Sequence, residues 1–336
     1  MTDINKLKTA VNNNLPSCKT ISDCQWHTWY MLPQPGGLGF SSNSFAYGIY
    51  RKSQAIDYLN DELCGSNLLR HCRELLDSAE QSAIRILGDI GATKLKSSMT
   101  LFDSIATDSD NLFGKVLDKY FEGHRDPHTL CRFTLYQRIT SALKFIGVDT
   151  SDFNLRREMF ARRQFNPMHG YSHLYRVMIA TALIAHKINQ PRLGLLAFFG
   201  AYIHDLGRQN DAADREHGAK SVRMHLHSLQ PLFDKYKITP EERQCIADAA
   251  TFHCARISRH ISDDAMTTLH ILKDADALDR CRFIIRGARL DVNFLHFRES
   301  RSCITPLKYC FASTIYFNLL NNEIPFSQFV DYLKWE

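Results

Sequence analysis

The residue pattern predicts a mainly α-helical chain: an N-terminal helical domain followed by an all-α bundle. Three observations carry this. Apolar residues recur at i, i+3 and i+4 spacing along most of the chain. Gly and Pro concentrate in one early loop, PQPGGLG at residues 33–39. Helix-start signals precede later apolar runs, including the capping box Thr239-Pro240-Glu241-Glu242 with proline at the first helical position. The 336 residues suffice for two ordinary domains, and 44% hydrophobic with 23% charged content is that of a globular rather than a disordered chain.

In the first domain, residues 1–138, the early loop follows an aromatic segment (Trp26, Trp29, Tyr30). Helical spacing then appears over residues 46–59, 67–76, 83–87 and 112–121, where Val116, Leu117, Tyr120 and Phe121 form one stripe. No metal cluster is evident there. Lys94, Lys96, Ser97, Ser98 and Thr100 offer either a phosphate or nucleotide site or a capped, solvated turn. The strings WHTWYMLPQPGGLGFS, KLKSSMTLF and LFGKVLDKYFEGHRDPHTL, in that order, resemble a bacterial family of unknown function, the one numbered eighteen-ten and sometimes labelled calpastatin. The chain reads Trp26-His27 where that family reads His-Trp, and the resemblance implies no activity. Residues 139–158, with a Gly, several Asp and one short apolar piece, are expected to connect this domain to the second, residues 159–336.

Asn166-Pro167 breaks the chain, and Ser172 is positioned to cap the next helix, whose apolar face is Leu174, Val177, Met178, Thr181, Ile184 and Ile188. His173 falls in its first turn and Arg176 one turn later. Residues 192–203 are apolar nearly all round, which predicts a buried helix, with Gly207 expected in a left-handed cap beyond it. His204 and Asp205 therefore lie where a buried helix opens. His217 falls in the first turn of a further helix, and His253 ends the one begun by Thr239. Asp274 and Asp276 lie within an apolar helical run. A carboxylate there costs several kcal/mol unless paired or metal-bound, so one Asp is expected as a ligand and the other as a brace for a His or Arg. His225, His227, His260, His270 and His296 are read as ordinary core or surface histidines.

The strings HGYSHLYRV, HDLGRQNDAADREHG and KDADALDR, in order, resemble the HD-domain metal-dependent phosphohydrolases over about residues 160–290. The resemblance implies His173, His204, Asp205 and Asp276 as metal ligands, Asp276 being favoured over Asp274 by its Ala-Asp-x-Leu context. It adds His253 to the metal set, and His217 to the metal or phosphate contacts. It implies a divalent cofactor (Mn, Fe, Zn, Mg, Ni or Co) that activates water against a phosphate ester. Asp205 would also orient that water. His169, Arg176, Arg208, Arg215 and Lys273 are the implied substrate contacts. A narrower similarity, in FNPMHGYSH, HDLGRQ and Glu216, is to the phosphodiesterase domains of Legionella ubiquitin-modifying effectors. It implies a phosphoribosyl- or ADP-ribosyl-modified protein as the alternative substrate, with Glu216 catalytic; His217 stands with Asp205 and Glu216 as a catalytic candidate. The third reading is a non-catalytic nucleotide-binding sensor.

The net charge of +5 is modest and spread out, and the clusters Arg156-Arg157 and Arg162-Arg163 read as solvated faces rather than a nucleic-acid footprint. Ten irregularly spaced cysteines with no C-x-x-C pair, and no apolar signal segment in MTDINKLKTAVNNNLP, predict free thiols in a cytoplasmic protein, a secreted bacterial effector being the alternative. The apolar run 193–203 is too short to span a bilayer. The expected partner is a small phosphorylated substrate, a nucleotide first, or a modified protein; neither a membrane nor nucleic acid is expected.

Overall fold

The structure, a computed structural model, describes residues 4–39, 41–161, 168–283 and 289–336. It is mainly α, with seventeen α-helices and no β-strand among the described residues; an isolated parallel bridge pairs Pro35 with Ile49. The chain divides into two compact units, residues 1–135 with 334–336, and residues 136–333.

The first unit contains α1 (Ile4–Asn14), α2 (Thr28–Met31), α3 (Ser42–Tyr47), α4 (Lys52–Asn60), α5 (Cys64–Asp77), α6 (Ala83–Asp103), α7 (Leu112–Phe121) and α8 (Pro127–Phe133). Short polar side chains start several of them: Ser41, Ser82, Asn111 and Asp126 each accept a hydrogen bond from a backbone N–H three residues on. Leu68, Cys72 and Leu75 of α5, Leu95, Met99 and Phe102 of α6, and Phe113, Val116 and Leu117 of α7 are buried at helical spacing and form the core.

Two expectations change here. Residues 46–59 are not one helix: Gly36 N donates to Ile49 O and Ile49 N donates to Gln34 O, both at 2.8 Å, so the chain around Ile49 pairs with the early loop and ends α3. The 83–87 segment continues to Asp103, interrupted at Gly88 (φ 70°), and its polar residues are neither a solvated turn nor an open anion site. Ser97 Oγ lies 2.7 Å from Thr129 Oγ1, while Thr100 Oγ1 donates to Lys96 O and accepts from Asp126 N. Lys94 Nζ donates to Thr28 Oγ1 and stands 3.4 Å from the Trp29 ring centroid. These bonds tie α6 to α2 and α8, and burial lowers the Lys94 ammonium to about 8.

The second unit contains α9 (Leu135–Phe145), α10 (Tyr171–Lys187), α11 (Pro191–Ile203), α12 (His217–His225), α13 (Gln230–Lys235), α14 (Pro240–Phe252), α15 (Asp263–Asp279), α16 (Ile304–Tyr316) and α17 (Phe326–Asp331). Helices α10, α11, α14 and α15 pack on one another, and α12 lies on α14. Residues 139–158 pack into this unit: Phe153 is fully buried with its ring edge-on to Phe198, Phe199 and Tyr202. Helix α11 is buried from Gly194 to Ile203, as its uniformly apolar sequence requires. Ser172 does not cap α10: the helix begins at Tyr171, Gly170 is its N-cap, and the Ser172 hydroxyl is buried. Arg156 is exposed, whereas Arg162-Arg163 and Asn166-Pro167 lie outside the described residues. No helix among the described residues is long and apolar enough to cross a membrane.

Candidate metal centre

Five helices deliver side chains to one place. His173 comes from the first turn of α10, His204-Asp205 from the C-terminal end of α11, and His217 from the first residue of α12. His253 caps the C-terminus of α14 and Asp276 lies on the last turns of α15. Two glycines make the convergence sterically possible. A Cβ on Gly218 would lie 2.2 Å from Ala250 O, so only glycine lets α12 approach α14 closely enough to set His217 beside His253. A Cβ on Gly207 would lie 2.5 Å from Ser221 N. This corrects the expected role of Gly207. Its φ is not positive, and what it supplies is close approach of the His204-Asp205 turn to α12.

The distances divide the cluster around Asp205. On one side, Asp205 Oδ2 is 3.4 Å from His173 Nε2 and 3.8 Å from His204 Nε2, and His173 Nε2 is 3.4 Å from Asp276 Oδ1. On the other side, Asp205 Oδ1 is 2.9 Å from His217 Nε2 and 3.6 Å from His253 Nε2, with the two Nε2 atoms 2.9 Å apart. Three overlapping triads have donor atoms within 4.8 Å of one another: His173, His204 and Asp276; His204, Asp205 and His253; His217, His253 and Cys254.

The protonation pattern suits a cation. A carbonyl oxygen only accepts, so a ring nitrogen facing one must carry the hydrogen. His204 Nδ1 donates to Ala201 O at 2.8 Å, His253 Nδ1 to Ala250 O at 2.7 Å, and His217 Nδ1 to Asp214 O. His173 Nδ1 donates to Asp279 Oδ2 at 2.7 Å. Each ring therefore turns its Nε2 inward, toward the carboxylates and the other rings, where a proton or a cation can sit. The Nε2 atoms of His173 and His204 are buried with no hydrogen-bond partner. Lone pairs and carboxylates at such distances repel unless a proton or cation lies between them, and imidazole nitrogens with carboxylate oxygens are ligands for divalent metals. The buried His/Asp cluster can thus hold a metal ion.

The cluster's own charges already polarise it. Burial opposes the charge on Asp205, but His204, His173, His217 and His253 outweigh it and hold that carboxyl well below the usual range. Burial lowers the His204 imidazole to about 4. It also works against the imidazolium of His217 and His253, yet the Asp205 carboxylate and Cys254 prevail and push these rings up to about 9 and about 10.

One supporting residue was not identified in the sequence. Asp279, fully buried, accepts from His173, from Arg176 Nε (2.6 Å) and Nη2 (3.0 Å), and from Arg282. Burial opposes its charge, but the two guanidiniums hold it well below the ordinary carboxylate range. The signal was present: Asp276 and Asp279 are three apart on one helix and so share a face. Asp274 is the brace, accepting from His296 Nδ1, the backbone N–H groups of His296 and Phe297, and Ser300 Oγ.

The other expected site residues divide. His169 stands at the rim, its ring edge-on to His173 at 5.4 Å and its Nδ1 2.8 Å from Asp211 Oδ1. Arg208 Nε is 3.7 Å from Asp205 Oδ1. Lys273 lines a cleft of about 600 Å³ that opens over Asp276 and His253, with Arg280, Arg289 and His296. Lys273, Asp276, Ala277 and Arg280 form an i, i+3, i+4, i+7 stripe, a helical signal that would have added Arg280. Arg176 is corrected: it has no exposed surface and braces Asp279, so it cannot grip a substrate. Arg215 and Glu216 are exposed, and Glu216 meets the α12 start through its backbone; neither side chain is drawn into the cluster.

Residues 9–133 match a family described as "Protein of unknown function (DUF1810)", so the first unit carries a DUF1810 domain. No HD-domain family matches the second unit. No curated protein and no solved structure matches the chain.

Proposed function

We propose that the second unit is a metal-dependent phosphohydrolase of the HD type, acting on a nucleotide or other phosphate ester. The observation that carries this reading is the inward convergence of imidazole Nε2 atoms and two carboxylates beneath a basic cleft. His173, His204, Asp205 Oδ2 and Asp276 would hold one cation; Asp205 Oδ1, His217 and His253 face a second position beside it. Bound there, a divalent cation supplies Lewis acidity, acidifying water and neutralising charge on phosphoryl oxygens.

The chain's own residues do the rest. Lys273, Arg280 and Arg289 line the cleft over Asp276 and offer cationic donors to a phosphate entering it. Asp205, 4% exposed and held as the carboxylate by four histidines, would serve as a ligand that also orients the attacking water toward phosphorus. Asp279 fixes the tautomer and ring plane of His173, as the carbonyls of Ala201, Asp214 and Ala250 do for the other rings. The modified-protein reading loses its distinctive residue, because the exposed Glu216 side chain is not in the cluster.

The test is metal analysis of the purified protein together with a screen of nucleotides and bis(p-nitrophenyl) phosphate. His204→Ala and Asp205→Ala should each remove both bound metal and turnover. Hydrolysis that persists in both variants would refute the assignment.

A further inference from the structure

We propose that Cys254 is a thiolate ligand at the second cation position, completing a set with His217, His253 and Asp205 Oδ1. This rests on the metal-centre reading above and adds a sulfur donor to it.

The geometry repeats itself at two helix ends. Helix α11 closes with Ala201-Tyr202-Ile203-His204-Asp205, and α14 closes with Ala250-Thr251-Phe252-His253-Cys254. In both, the histidine is the C-cap and its Nδ1 donates to the alanine carbonyl three residues back, at 2.8 and 2.7 Å. The same backbone turn thus aims both Nε2 atoms inward and presents the following side chain beside them. At the first turn that side chain is Asp205, the carboxylate at the centre of the cluster. At the second it is Cys254, whose Sγ lies within 4.8 Å of ligand atoms on both His217 and His253. A cation about 2.0–2.3 Å from nitrogen and sulfur donors in tetrahedral geometry holds them roughly 3.3–3.6 Å apart, so the triad, already within 4.8 Å, needs only local side-chain adjustment to close on one. The Cys254 thiol donates to Arg215 O, 3.6 Å away. On binding, the S–H proton leaves to solvent as Sγ joins the cation, so one proton is released for each thiolate formed.

A thiolate changes what the second position takes. Sulfur with imidazole favours zinc or ferrous iron over magnesium, whereas the all-oxygen and nitrogen first position does not share that bias. It also makes the second ion removable by thiol modification. Cys254 is the partly exposed cysteine of the chain; the other nine are buried.

Cobalt(II) titration of the chelator-stripped full-length protein tests this. The expected result is two equivalents bound, with a thiolate-to-cobalt charge-transfer band in the near ultraviolet growing with one of them. In Cys254→Ser that band should vanish and one site should weaken at least tenfold. Cys254→Asp should restore two-ion binding without the band. Iodoacetamide should label Cys254 in stripped protein at least tenfold faster than in cobalt- or zinc-loaded protein. Two ions bound with no band, a band that survives Cys254→Ser, or equal labelling rates would overturn the thiolate while leaving the first position intact. Failure to bind any cobalt would overturn the metal centre itself.

Discussion

Asp279→Asn isolates the buried support of the cluster from the ligands themselves. The change is nearly isosteric and removes one negative charge from a site with no exposure, between Arg176, Arg282 and His173. Arg176 is itself fully buried, and Arg282 is 7% exposed at its side chain, so water cannot replace what the carboxylate provided. Breaking a buried ion pair by removing one partner costs about 3–5 kcal/mol, and two guanidiniums are stranded here. The Asn amide retains one acceptor oxygen, which places the expected loss near the lower figure, about 3 kcal/mol. His173 also loses the acceptor that orients its Nδ1–H, and changes to such supports lower metal affinity by about 10–100-fold. Urea unfolding followed by far-ultraviolet circular dichroism measures the first quantity and metal titration the second. A variant within about 0.5 kcal/mol of the parent and with unchanged metal affinity would refute the role given to Asp279.

Other perturbations separate the two units and the parts of the site. Lys94 has a folded pKa of about 8 against 10.5 in the open chain, so below pH 8 the folded state bears the full cost of burying its charge. The unfolded chain retains the proton across pH 8 to 10.5, so stability should rise with pH through that window. Lys94→Met should stabilise the first unit at pH 7 by at most about 3 kcal/mol and give no gain above pH 10.5. Trp26, Trp29 and Trp335 all belong to that unit, so tryptophan fluorescence during denaturation reads it; a destabilised variant at pH 7 would contradict the account. Gly218→Ala should push α12 from α14, cost about 1–3 kcal/mol, and weaken the second ion more than the first in a metal titration. Glu216→Ala should leave metal content and phosphate-ester hydrolysis within twofold of the parent, and a larger loss would revive a catalytic role for it. Arg280→Ala should raise KM more than it lowers kcat, with the opposite pattern placing Arg280 at the reacting atoms.

The helical class was legible because α7, α10, α11, α14 and α15 each carry an unbroken apolar period or a clear cap. The break at residues 48–51 was not, since it depends on pairing between Ile49 and the loop around Gln34 and Gly36, which no local spacing reveals. Helix α6 was undercounted because Lys94, Ser97 and Thr100 look solvated until Thr28, Thr129 and Asp126 are seen to bond them. At the candidate centre, residue types with few inexpensive burial modes could be read: a His-Asp pair ending an apolar helix and an Asp inside one. Arg176 could not, because a phosphate grip and a carboxylate brace use the same guanidinium, and only the position of Asp279 distinguishes them. Gly207 was correctly singled out for the wrong reason, as close packing on Ser221 leaves no mark in sequence that differs from a left-handed cap.

The most direct measurement is anomalous scattering at a metal absorption edge from crystals grown with manganese, zinc or cobalt. A peak within bonding reach of His173 Nε2, His204 Nε2, Asp205 Oδ2 and Asp276 Oδ1 is the result expected. Well-ordered imidazoles around Asp205 with no peak among them, at saturating metal, would contradict the account at its centre.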